Sequence, residues 1–158
     1  MTQIDRNHVW DMIEDMRVCM LVTWDGSRQS ARPMGPMPIR DENAIYFFTD
    51  VKAEKDDQIR EFPIVTLAYV DTSNNDYVSL TGTATLTNDR RKIEQLWSPV
   101  MKTWWEDAHD ENIRLIKVVP EDAQAWDGPG GLVASVKMAA AAAGMGEVDL
   151  GESAKVKM

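Results

Sequence analysis

The chain has 158 residues, 44% of them apolar and 27% charged, with a formal net charge of −9 and one cysteine. That length suits one domain of about 100–150 residues or slightly more, able to bury roughly 68–70% of its unfolded surface without a disulfide or a structural metal. The acidic balance argues against nucleic acid and anionic membranes as partners, both of which need clustered cations, but leaves room for a local cationic pocket.

The start, Met1 to His8, has no apolar signal core, and no apolar run reaches about 20 residues, so a cytoplasmic protein without a membrane span is expected. Val9, Met12, Ile13 and Met16 repeat at helical spacing, with Asp11, Glu14 and Asp15 on the other side, which predicts an amphipathic helix. Val18 to Trp24 is a run of strand length, stopped by the turn pair Asp25-Gly26. It contains Cys19, read as a buried, reduced thiol.

Ser30 to Met37 continues as one extended segment. Pro33 and Pro36 within it cannot donate to a ladder, so it must be an edge strand or a bent one. Ala44 to Thr49 is aromatic and β-rich, and a short helix from about Lys52 to Phe62 ends at Pro63. Ile64 to Val70 reads as the fourth strand, and Asp71 to Asp76 as a turn.

In the fifth strand Val78, Leu80, Ala84 and Leu86 alternate with Tyr77, Ser79, Thr81, Thr83 and Thr85, while Gly82 interrupts the apolar row and predicts a bulge, a bend or close backbone approach. Asn88 or Asp89 caps the next helix, carrying Ile93, Leu96, Trp97 and Val100 and disturbed by Pro99. Asn112 to Trp126 is a sixth extended segment, with a break predicted at Pro120-Glu121-Asp122. Gly128-Pro129-Gly130-Gly131 leads into a helix with Leu132, Val136 and Ala139 on one side, and from Met145 the chain reads as a frayed polar tail. Short strands joined by hairpin-like links predict an antiparallel barrel, not a parallel nucleotide-binding sheet.

Most catalytic patterns are absent. Neither His8 nor His109 lies at ligand spacing from a second histidine or a cysteine, so no zinc site is expected, and no Gly-x-Ser-x-Gly turn occurs. Glu106 to Glu111 reads as a solvated acidic loop. Trp104-Trp105 is read first as capping the core or filling a subunit contact, the contact preferred, and second as a stacking surface for a planar ligand. What remains is a cationic and hydroxylic set, Arg32, Thr49, Lys52 and Lys55. On spacing alone these could be solvated charges partnered by Asp50, Asp56 and Asp57. Lysines at a helix start oppose its dipole, however, and sit better with an anion bound there.

Three motifs in order, Ser30-Ala31-Arg32-Pro33-Met34, then Ile45 to Asp50 with Lys55 six residues after Thr49, then Tyr77 to Ala84, resemble the flavin-binding split-barrel family. More narrowly, the chain is similar to the general stress protein 26 branch of the pyridoxamine 5'-phosphate oxidase-like group, over about Val9 to Gly131.

The resemblance implies a mainly β fold, a six-stranded antiparallel split β-barrel over residues 1–143 with a flexible tail at 144–158. It also implies a homodimer with FMN, or FAD, at the subunit interface. Arg32 and Lys55 would meet the phosphate, Thr49 the phosphate oxygens or ribityl chain, and the backbone through Pro33 and Met34 the ring edge. Phe48, Lys52 and Ser79 lie in the matching motifs, and Trp126 either matches a tryptophan that reaches the flavin from the partner subunit or is a core aromatic at the barrel end.

Met37, Glu54 and the Gly128–Gly131 run replace residues of the vitamin B6 oxidase itself, which argues against that activity. The implied function is a flavin-binding stress protein, either an oxidoreductase on an unidentified small substrate or a non-catalytic storage or sensing module. A haem- or deazaflavin-binding barrel is the further alternative. No catalytic residue is nominated.

Overall fold

The structure, a computed structural model, describes residues 4–128, 138–144 and 152–158. Of the expected Gly-rich segment, residues 129–131 lie outside the described residues, as does most of the helix that follows it.

Helix α1 (Arg6–Glu14) is capped by Asp5, whose carboxylate accepts from the His8 backbone N–H. It buries Val9, Trp10, Met12 and Ile13. Next come β1 (Cys19–Trp24), β2 (Gln29–Met34), β3 (Met37–Ile39), a 3₁₀ turn at Arg40–Glu42 and β4 (Ala44–Asp50). Helix α2 (Glu54–Glu61), β5 (Ile64–Asp71), β6 (Asp76–Thr87) and helix α3 (Arg90–Leu96) follow. The chain ends with a 3₁₀ segment at Pro99–Thr103, β7 (Ile113–Asp127) and β8 (Glu152–Lys157).

The strands form one antiparallel sheet in the order β2-β1-β5-β6-β7-β4-β3, with β8 pairing to β7 as well. Among the described residues there are therefore eight strands where six were expected. One addition comes from the proline-containing segment: it is not a single strand but two, β2 and β3, which sit at opposite edges of the sheet. Only Gly35 and Pro36 separate them, and three residue steps span at most roughly 11 Å. The sheet must therefore curl until its edges meet, without a ladder joining them. Pro33, Pro36 and Pro38 explain the gap, since none can donate to a ladder. This is a split barrel.

The second addition is β8, in the region expected to be a flexible tail. It pairs from Asp122↔Lys157 to Asp127↔Glu152, and Ala154, Val156 and Met158 pack against the core. Burial of that alternating row offsets the entropy of ordering the segment.

The expected break at Pro120 is a bulge instead. Strand β7 runs through it, with Thr81 opposite Asp122 and Gly82 opposite Pro120, so Glu121 is the extra residue. A Cβ on Gly82 would lie 2.7 Å from the Val119 carbonyl oxygen. That close approach is why the apolar row of β6 carries a glycine there.

Two cores result. The barrel interior is filled by side chains such as Leu21, Phe47, Leu67, Leu80 and Val118, with α1 closing one end. Strand β4 is buried on both faces, which accounts for its unbroken apolar run. Its outer side chains, Ala44, Tyr46 and Phe48, pack with Ile93 of α3, Ile113 and Leu115, under Met101, Trp97 and Trp105. Arg90 staples the loop below by donating to the carbonyls of Ala108, Asp110 and Ile113. No described helix is long and apolar enough to cross a membrane.

Candidate functional site

The split in the barrel is where the sequence candidates converge. Met34 and Gly35 close the β2 edge, Phe48, Thr49 and Asp50 end β4, and the 3₁₀ segment at Pro99–Thr103 with Trp104 and Trp105 forms the far wall. They enclose a cavity of about 600 Å³, lined also by Val18, Pro33, Ala53 and Lys55. That volume falls in the range of small-molecule sites, roughly 300–1,000 Å³. Its wall is apolar and aromatic. The Phe48 and Trp105 rings lie 6.0 Å apart, Trp105 and Trp104 6.3 Å apart, and Trp105 donates its indole N–H to Asp50 at 3.1 Å.

Beside the cavity lies a polar annexe of about 280 Å³, lined by Asp25, Ser30, Arg32, Ala53, Lys55 and Gln58. Ala53 and Lys55 line both spaces, so the two are adjacent. Burial holds the Lys55 ammonium below the usual lysine value; Asp56 opposes that shift and the nearby Arg32 charge adds to it. Two cations facing one half-buried space repel each other unless an anion lies between them.

The polar groups beneath are fixed by hydrogen bonds. Arg32 donates to the Thr23 hydroxyl at 2.9 Å, and Thr23 donates to Gln58 Oε1 at 2.6 Å. Thr49 is buried and donates to Asp56 at 2.9 Å, leaving its oxygen as an acceptor only. Burial raises the Asp56 carboxyl above the usual range, and the Thr49 bond opposes that.

Of the sequence candidates, Arg32, Pro33, Met34, Phe48, Thr49 and Lys55 surround this pair of spaces. Lys52 does not join them. Helix α2 begins at Glu54 with Ala53 as its cap, so Lys52 precedes the helix, and its exposed side chain lines neither space. Ser79 lines a separate groove with Thr81, Gln124, Lys155 and Lys157 on the outer face. Trp126 lies opposite Tyr77 on the sheet and is 39% exposed, away from the cavity of its own chain. Sequence reasoning passed over Thr23, Gly35, Gln58 and Met101. Trp104-Trp105, read first as an interface pair, lines the cavity.

The model of the family described as pyridoxamine 5'-phosphate oxidase like matches residues 5–149. A solved structure provisionally assigned as a general stress protein 26, from Jannaschia sp. CCS1, superposes with a TM-score of 0.78 at 27% identity, covering 94% of each chain. The general stress protein 26 of Bacillus anthracis str. Sterne gives 0.68 at 22% identity, over 74% of this chain and 89% of that one. The general stress FMN/FAD binding protein of Xanthomonas citri gives 0.67 at 24% identity, over 75% and 85%. Protein bli-3 of Neurospora crassa is 24% identical over 66 residues, and this match spans 32% of its length.

Proposed function

The chain belongs to the pyridoxamine 5'-phosphate oxidase-like family, and on that premise we propose that it binds flavin mononucleotide, with the phosphate in the Arg32–Lys55 annexe and the ring in the apolar cavity. The observation that carries the reading is the junction of the two spaces. An aromatic-walled cavity adjoins, across Ala53 and Lys55, a niche lined by Arg32, Lys55 and one carboxylate, Asp25, in a molecule of net charge −9. A phosphate monoester bears about −1.5 to −2 at neutral pH and would accept charge-assisted hydrogen bonds from both cations.

In this reading Arg32 and Lys55 hold the phosphate and Ser30 adds a hydroxyl. Thr49 offers its oxygen to the ribityl hydroxyls, and Pro33, Met34 and Gly35 bring backbone to the ring edge. Trp105, held by Asp50, presents an indole face to the ring, and the apolar lining keeps water from it. A bound flavin supplies two-electron redox chemistry, which the protein tunes by orientation and electrostatics. The dinucleotide FAD carries the same ring and a phosphate at the same place, and is the alternative occupant.

A second copy of the chain completes the site in this proposal. Met20, Trp24, Ile64, Val70 and Trp126 are large apolar side chains exposed on β1, β5 and β7, and such exposure suits a subunit contact. Trp126 of the partner would then approach the flavin. Sedimentation equilibrium would give twice the chain mass; a monomer at micromolar concentration would contradict this arrangement.

One observation favours a binding module over an oxidoreductase. Among the described lining residues of the large cavity the titratable groups are Asp50 and Lys55. Asp50 accepts from the Lys52 backbone and from Trp105, and Lys55 lines the annexe as well as the cavity. In this reading both groups have binding or structural roles, and neither is nominated as a proton donor to a substrate. The absorbance spectrum of the purified protein tests the cofactor: a flavin spectrum is expected, and a haem or deazaflavin spectrum would overturn it. Adding a reduced nicotinamide and then an acceptor separates the two functions, since bleaching and reoxidation mark an enzyme and an inert flavin marks a storage or sensing module.

A further inference from the structure

We propose that Gln58 is a third donor to the phosphate and that Thr23 is the positioning residue that aims it; the inference rests on the annexe being the phosphate site, as proposed above. The inward row of β1 is Cys19, Leu21 and Thr23, all buried. A hydroxyl at the end of an otherwise apolar row costs desolvation unless it is bonded. Here it is bonded twice, and the direction of each bond is dictated by chemistry. A guanidinium can only donate, so the 2.9 Å contact from Arg32 makes the Thr23 oxygen an acceptor. The single Thr23 proton then goes to Gln58 across 2.6 Å, and only Oε1 can take it. The amide is thereby oriented with its nitrogen, and two N–H groups, as the remaining end.

Gln58 lines the annexe together with Arg32 and Lys55. It stands three residues after Lys55 on α2, so both side chains rise from one face of the helix. An amide fixed oxygen-inward at a cationic niche adds a neutral donor beside the two charged ones. That gives the niche more hydrogen bonds for phosphate oxygens without more charge repulsion when empty. Thr23 touches no ligand in this scheme; it sets the polarity of the Arg32–Thr23–Gln58 chain.

The test compares FMN with riboflavin, which lacks the phosphate, by flavin fluorescence titration of the full chain and its variants. Gln58→Glu replaces the amide nitrogen with an anionic oxygen and should weaken FMN by about 10- to 100-fold while riboflavin changes by less than about twofold. Thr23→Val, which frees the amide to turn, should weaken FMN by about tenfold, and Thr23→Ser should restore it. Gln58 is half-buried on a helix surface, so its variant keeps the fold even if Thr23→Val does not. FMN binding by Gln58→Glu at the affinity of the unmodified chain would overturn the inference. If Arg32→Ala weakens FMN selectively in the same experiment, only the role of Gln58 falls. If Arg32→Ala also leaves the preference for FMN unchanged, the annexe is not the phosphate site and both readings fall.

Discussion

The indole N–H of Trp105 donates to Asp50 Oδ2 at 3.1 Å, tying the wall of the cavity to the last residue of β4. The same carboxylate accepts from the Lys52 backbone N–H at 3.0 Å. These bonds outweigh the effect of desolvation and hold Asp50 below the usual carboxylate range, the Lys52 backbone bond contributing most. One side chain therefore sets both the turn that precedes α2 and the angle of the aromatic wall.

Trp105→Leu removes that tie and the flat face with it. Fluorescence of bound FMN should rise several-fold above that of the unmodified complex, because an indole against the ring no longer quenches it, and affinity should fall by about tenfold. Trp104, 66% exposed, should change the thermal midpoint little when replaced by Ala. Equal fluorescence of bound FMN in the unmodified chain and Trp105→Leu would show that Trp105 does not meet the ring.

At the far end of the barrel, Asp76 and Asp127 lie directly opposite on β6 and β7, and His8 of α1 bonds to Asp127. Burial first, and the Asp127 charge second, push the Asp76 carboxyl from its ordinary 3.8 up to about 6; Asp71 adds to the shift and the Gly128 backbone N–H opposes it. The sign follows. The folded state takes up this proton more readily than the unfolded chain, so the group costs stability above about pH 6 and the cost fades as pH falls toward 3.8. Asp76→Asn should therefore melt a few degrees above the unmodified protein at pH 8, and the gap should close by about pH 4. Thermal melts across that range check this, and a gap independent of pH would refute it.

Gly82 sits at the bulge where β6 meets Pro120. An added Cβ would meet the Val119 carbonyl oxygen at 2.7 Å and Val118 Cγ1 at 2.8 Å, and the first is backbone held in the sheet. Gly82→Ala should cost roughly 1–3 kcal/mol by denaturant unfolding, as overpacked sites do. A neutral result would mean that the β6–β7 ladder yields there.

Much of this architecture was legible because local chemistry and global fold agree. The aromatic run Ala44–Asp50, the alternation around Gly82 and the proline after Phe62 each name their element. The order of strands across the sheet was not legible. Nothing local says that Met34 and Met37, three residues apart, belong to opposite edges, because the curl of the sheet decides it. Strand β8 was hidden because Lys155 and Lys157 mask the alternating Ala154, Val156 and Met158 in so short a segment. At the site, Arg32 and Lys55 stood out as cations in matching motifs. Thr23 and Gln58 did not, because their meaning lies in a hydrogen bond spanning 35 residues of sequence.

The central claim is that the Arg32–Lys55 niche reads a phosphate. Calorimetric titration of FMN and riboflavin into the unmodified protein and the Arg32→Ala/Lys55→Ala double variant tests it most directly. The account predicts that the unmodified protein prefers FMN by about 100-fold or more, and that the double variant binds both flavins with similar, weak affinity. A double variant that keeps the full preference for FMN would contradict it.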